Sequence, residues 1–80
     1  MSILVEINST VFGTNVWFED NMLCVTSSDG RQIRVPTFWF PRLYSATPQK
    51  LKNWTFIGKG QGIHWPDLDE DLSIKGLLNI

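Results

Sequence analysis

Hydrophobic and polar positions alternate along the first half of the chain, and turn-rich, capped segments follow in the second. Ile3, Val5 and Ile7 alternate with Leu4, Glu6 and Asn8, and residues 11–18 are rich in β-branched and aromatic types. This period of two predicts two strands or one bent strand, kinked or bulged at Gly13. Residues 22–26 and 32–35 are strand-like runs joined through Ser27, Ser28, Asp29, Gly30 and Arg31. Asp-Gly between two such runs is a strong hairpin signal, and Asp20-Asn21 is a second turn signal. Residues 14–35 therefore read as a three-stranded antiparallel meander.

Proline ends this pattern. Pro36 lacks the amide hydrogen that a ladder needs, and Pro41 suits the first turn of a short helix through Arg42, Leu43 and Tyr44. Thr47-Pro48 repeats the device as an N-cap followed by a first-turn proline. It predicts a helix of about two turns with an apolar edge at Leu51 and Trp54, and with Lys50 and Lys52 pointing away. Residues 55–57 can be extended, Gly58, Gly60 and Gly62 break the chain, and Ser73 is placed to cap a last short helix carrying Leu77 and Leu78. The expected architecture is a single small α+β domain over residues 1–80, a small antiparallel β-meander with two or three short helices.

Composition narrows the class. At 80 residues, 42% hydrophobic and 19% charged, the chain is long enough for one small core and too apolar for a disordered segment. Four tryptophans and five phenylalanines supply the large burial per residue that so short a chain needs. No apolar run reaches membrane-spanning length, and residues 1–7 lack the basic and apolar regions of a secretion signal, so a cytoplasmic protein without membrane association is expected. The single cysteine, Cys24, excludes an internal disulfide and a cysteine zinc site.

The formal charge of −1 hides an asymmetry. Residues 30–66 hold Arg31, Arg34, Arg42, Lys50, Lys52 and Lys59 and no acid, whereas Asp67, Asp69, Glu70 and Asp71 crowd together after them. The basic stretch could track phosphates. The isoelectric point near 5.6 argues instead that the two charge sets face each other and cancel.

The motifs that could carry chemistry are incomplete. Gly58-Lys59-Gly60-Gln61-Gly62 lacks the Gly-Lys-Ser/Thr of a phosphate loop and the βαβ setting of a dinucleotide fingerprint, so it reads as a turn. Asp67, Asp69 and Asp71 have the spacing that opens a calcium loop, but Leu72 and Leu78 stand where that loop needs glycine and glutamate. The bland alternative places these acids at or before a helix N-terminus, with His64 hydrogen-bonded nearby. Cys24 sits mid-strand, where a lone cysteine is a small buried hydrophobe. No metal, cofactor or catalytic residue is expected. Phe38-Trp39-Phe40 cannot place all three rings on one side of an extended chain, so at least one is expected at the surface, with Trp39 or Phe38 and Arg42 as candidate anchors.

Several blocks resemble a known family: Val35-Pro36, Trp39-Phe40-Pro41-Arg42-Leu43, Ala46-Thr47-Pro48, Asn53-Trp54, Ile57-Gly58, Gly60, and above all Gly62-Ile63-His64-Trp65-Pro66-Asp67-Leu68-Asp69-Glu70-Asp71. Over about residues 11–78 the chain is similar to the prokaryotic domain of unknown function 2442. Thr37 and Phe38 depart from the family pattern, which sets a leucine and a small residue there. The resemblance implies a small α+β fold without an established activity, cofactor or catalytic residue. It also implies members encoded beside another small protein, in pairs that look like toxin–antitoxin modules. The expected function is thus a non-enzymatic, antitoxin-like interaction protein for a small protein partner. Its candidate contact residues are Trp39, Arg42, His64, Trp65, Asp67, Asp69, Glu70 and Asp71. A homo-oligomer and a nucleic-acid-binding accessory domain are the rival readings.

Overall fold

Two tight turns organise the first half of the chain. The structure, a computed structural model, describes residues 11–79; the alternation at Ile3, Val5 and Ile7 lies outside them. Strands β1 (Gly13–Glu19), β2 (Met22–Ser27) and β3 (Gln32–Pro36) form an antiparallel sheet in the order β1-β2-β3, as the meander reading expects. Asp20 and Asn21 link β1 to β2 with φ of 53° and 60°, the two left-handed residues that a type I′ turn requires and that Asp and Asn tolerate best after glycine. The Asn21 carbonyl accepts bonds from the Thr37 amide and hydroxyl, both at 2.9 Å, so the turn is tied to the chain that leaves β3. At the β2–β3 turn Gly30 takes a φ of 92° and the Ser27 amide donates to the Arg31 carbonyl at 2.9 Å. The register slips between Gly13 and Asn15, where a kink or bulge was expected.

After β3 a 3₁₀ turn (Thr37–Trp39) leads into α1 (Pro41–Tyr44) and α2 (Pro48–Lys52), each begun by its proline. The Thr47 hydroxyl accepts from the Lys50 amide at 3.3 Å, the cap expected of it. α2 is shorter than two turns, because Asn53 leaves helical geometry (φ −90°, ψ 76°) and the chain enters β4.

The second half differs most from the sequence reading. β4 (Thr55–Ile57), β5 (Gly62–Trp65) and β6 (Glu70–Ser73) form a second antiparallel sheet, followed by α3 (Ile74–Leu78). Glu70 and Asp71 lie on β6, and Asp67 and Asp69 lie in the turn before it; the first turn of α3 holds no acid. Cross-strand pairing with β5 therefore overrides the dipole placement expected for these acids. The Ser73 hydroxyl accepts from the Gly76 amide at 2.9 Å and caps α3 as anticipated.

One apolar cluster joins the two sheets and the helices. Leu23, Val25, Leu43, Ile63, Trp65 and Ile74 are fully buried in it. Ile63 and Trp65 share the inner face of β5 through the period of two. Phe18 of β1 meets Trp65 edge-on, with ring centroids 6.2 Å apart, and so couples the first sheet to the second. Among the described residues no helix is long and apolar enough to cross a membrane.

Candidate interaction site

The His64–Asp71 block braces the β5–β6 hairpin against α1 and α2. Trp65 has no exposed area, and its indole Nε1–H donates to the Leu51 carbonyl of α2 at 3.0 Å. It is therefore core, and the docking contact expected of it has no surface to act through. Arg42 of α1 donates to the Asp69 carbonyl, whose residue holds a φ of 51° in the turn. Asp67 accepts from the Asn53 side-chain amide at 2.9 Å, just past the end of α2. Glu70 Oε1 accepts from the Asp71 amide at 3.2 Å, and the Asp71 carboxylate pairs with His64 Nδ1 across the strands. Six of the eight expected contact residues, Arg42, His64, Trp65, Asp67, Glu70 and Asp71, thus have side-chain polar groups bonded within the fold, while Asp67, Asp69 and Asp71 remain exposed around the same turn.

Strand register adds a residue that the sequence reading missed. Thr55 pairs with His64, and His64 with Asp71, so a hydroxyl, an imidazole and a carboxylate form a row on the outer face of the second sheet. The signal was the period of two on either side of the glycine-spaced turn. The Thr55 hydroxyl sits within 3.4 Å of the Phe56 carbonyl, and the row lies on an open face outside the described cavities. Among the described residues, no three His, Cys, Asp or Glu side chains converge as a metal site would need. The glycine loop is the β4–β5 turn: Gly58, Lys59 and Gly60 all have positive φ, and the Gly60 and Gln61 amides bond back to the Ile57 and Gly58 carbonyls at 3.2 Å.

The three arginines of the basic stretch are answered by neighbouring groups, Arg42 by the Asp69 carbonyl. Arg31 pairs with Asp29 at 2.7 Å and Arg34 with Glu19 at 3.3 Å. Glu19 also accepts from the Trp17 indole at 2.6 Å. That bond, with the help of Arg34, holds the Glu19 carboxyl below its usual range. Across the strands Cys24 lies between Trp17 and Arg34, fully buried, and burial raises its thiol pKa, which makes it an inert core residue.

Asp29 is held at about 2 by bonds from Arg31 and Ser27, against an ordinary 3.8. The unfolded chain therefore takes up this proton first as the pH falls. The stabilisation from Asp29 is complete above about pH 4 and is lost on the way down to about pH 2. Asp29→Asn is expected to flatten the fall in urea midpoint across that window, and a slope equal to wild type would remove Asp29 from acid sensitivity.

The most exposed large hydrophobic side chains among the described residues are aromatic. Phe38 is 63% exposed, Trp39 48% and Tyr44 63%, all within the 3₁₀ turn and α1. Tyr44 also borders a cleft of about 510 Å³. One wall of that cleft is residues 16–21 of β1 and its turn, and the other includes Leu51, Lys52 and Trp54.

Comparison with known proteins agrees with this architecture. The family described as Protein of unknown function (DUF2442) matches residues 14–80. A crystal structure of a protein of unknown function from Rhodospirillum rubrum is similar, with 25% identity and a TM-score of 0.74 over 86% of each chain. The solution structure of an uncharacterized protein from Chromobacterium violaceum is similar at 20% identity and a TM-score of 0.75, over 96% of this chain and 72% of that one. These likenesses concern the fold. No curated protein matches the chain.

Proposed function

The chain belongs to the DUF2442 family of proteins of unknown function, and on that premise we propose that it is a non-enzymatic interaction protein, the antitoxin-like member of a gene pair, which binds a small protein partner in the cytoplasm. The observation that carries this reading is the exposure of Phe38, Trp39 and Tyr44 in a chain that has few large side chains to spare from its core. Rings of this kind, ordered on a short helical segment, are what interface centres are built from. The antitoxin-like role rests on the resemblance to proteins encoded in pairs. Binding is favoured over catalysis because Thr55 and Asp71 are exposed, so the Thr55, His64, Asp71 row meets bulk water at an open face. A nucleic-acid role draws less support, since Arg31, Arg34 and Arg42 are engaged within the fold.

The test is retention from extract of the source cell at low and moderate salt, with and without nuclease. A stoichiometric small protein that survives nuclease, and is lost from a Phe38→Ser, Tyr44→Ser double variant that remains folded, is the expected result. Co-purified nucleic acid that dissociates steeply with salt would replace this reading with the nucleic-acid one.

A further inference from the structure

The cleft beside Tyr44 runs along β1, a strand paired on one side among the described residues. β1 pairs only with β2 among the described residues, so its other side is an edge. A two-residue turn makes Glu19 and Met22 the pair that exchanges both backbone bonds, and alternation assigns the same role to Trp17 and Cys24. The peptide groups of Val16 and Phe18 consequently point the other way. The Val16 amide confirms the phase, because it donates to the Asn15 side chain at 2.9 Å and not to β2. That bond shields one edge donor, as natural edges often do, and leaves the amide and carbonyl of Phe18 as the groups without a backbone partner among the described residues.

The rest of the lining suits a particular occupant. Trp17, Tyr44 and Trp54 supply ring faces, and Leu43 and Leu51 supply an apolar floor. At the turn end of β1 the Glu19 carboxylate is already engaged by Trp17 and Arg34, so Asp20 is the carboxylate left to an occupant there, with the Lys52 ammonium on the other wall. Asp20 makes no ion pair with any described residue, and the strained left-handed turn holds it in place. Carboxylates beside aromatic faces favour a cationic side chain, through charge and through the ring quadrupole.

We propose that this cleft receives an extended basic segment of the protein partner, which adds to β1 as a strand at Phe18 and lays an arginine or lysine between Tyr44 and Asp20. The proposal rests on the interaction reading and names its surface. Strand addition supplies affinity through the main chain, and the acidic, aromatic end supplies selectivity.

Amide hydrogen exchange on the full chain tests it, with an end-blocked pentapeptide of alternating threonine and valine with arginine at its centre. The free protein is expected to exchange Phe18 quickly, and the peptide to slow that amide by about tenfold or more at saturation. Asp20→Asn, which keeps a residue suited to the turn, is expected to weaken the arginine peptide about three- to tenfold, and a glutamate-centred peptide to bind less well than the arginine one. A Phe18 amide already protected in the free protein, no slowing at about 5 mM peptide, or equal binding of the two peptides overturns the proposal. If the partner retained from extract binds Asp20→Asn and Tyr44→Ala as it binds wild type, the interaction reading stands and the cleft assignment falls.

Discussion

Trp65→Ala is expected to cost about 3–5 kcal/mol, the range for emptying a large buried aromatic site. A chain of this length commonly has roughly 4–12 kcal/mol of stability in all, so the loss is a large share of the whole and should lower the urea midpoint sharply. The cost has three sources. The side chain is fully buried, it packs edge-on against Phe18 between the two sheets, and its indole satisfies the Leu51 carbonyl at the end of α2. Trp65→Phe separates them, because it keeps most of the apolar burial but leaves the Leu51 carbonyl unpaired. It is expected to cost about 1–3 kcal/mol from the lost bond. Urea unfolding of both variants measures the difference. A Trp65→Ala protein as stable as wild type would mean that Trp65 is not the link between the sheets. A loss of partner binding in this variant would report unfolding, which is why docking is tested at Phe38, Tyr44 and Asp20.

Gly60→Ala is the second large effect, at about 2–4 kcal/mol. Gly60 holds a φ of +86°, and a Cβ there would sit 3.1 Å from the Gly13 carbonyl oxygen and 3.2 Å from Phe12 Cβ. The Gly60 carbonyl also accepts from the Gly13 amide at 2.6 Å, so the β4–β5 turn and the start of β1 are fastened at this point. Gly30→Ala is the matched comparison: its φ is +92° but nothing lies within 4 Å of the added carbon. Only the backbone term of about 1–2 kcal/mol should appear there. Equal losses at the two positions would show that close approach contributes nothing at Gly60.

Gly60 also shows why its segment was only half legible. The spaced glycines announced a turn, and the failure of the phosphate-loop pattern removed the functional alternative. That the turn presses against Gly13 depends on two segments far apart in sequence, and no local pattern encodes the contact. The acidic block failed for a related reason. Asp67, Asp69, Glu70 and Asp71 are poor strand formers in isolation. Glu70 and Asp71 become strand residues because Trp65 and His64 stand opposite them in register, with Leu72 opposite Ile63.

Local chemistry determined a good deal from the sequence alone. The Asp-Asn and Asp-Gly turns, the prolines at the starts of α1 and α2, and the Thr47 and Ser73 caps each follow from a few adjacent residues. The family was legible as a resemblance carried by its motif blocks, and exposure of at least one ring in Phe38-Trp39-Phe40 was expected of an extended chain, whereas a 3₁₀ turn is what sets Phe38 and Trp39 outside. Tertiary structure alone decided that Trp65 is buried while Trp39 stays exposed, since both are tryptophans in aromatic or strand-like settings and only packing against Phe18 and Leu51 separates them. It also decided that Thr55, His64 and Asp71 form a row, and that β1 shares a cleft with α1 and α2. Turns and caps are set by interactions within about four residues, whereas burial, register across a sheet and the walls of a cleft are set by which distant segments meet.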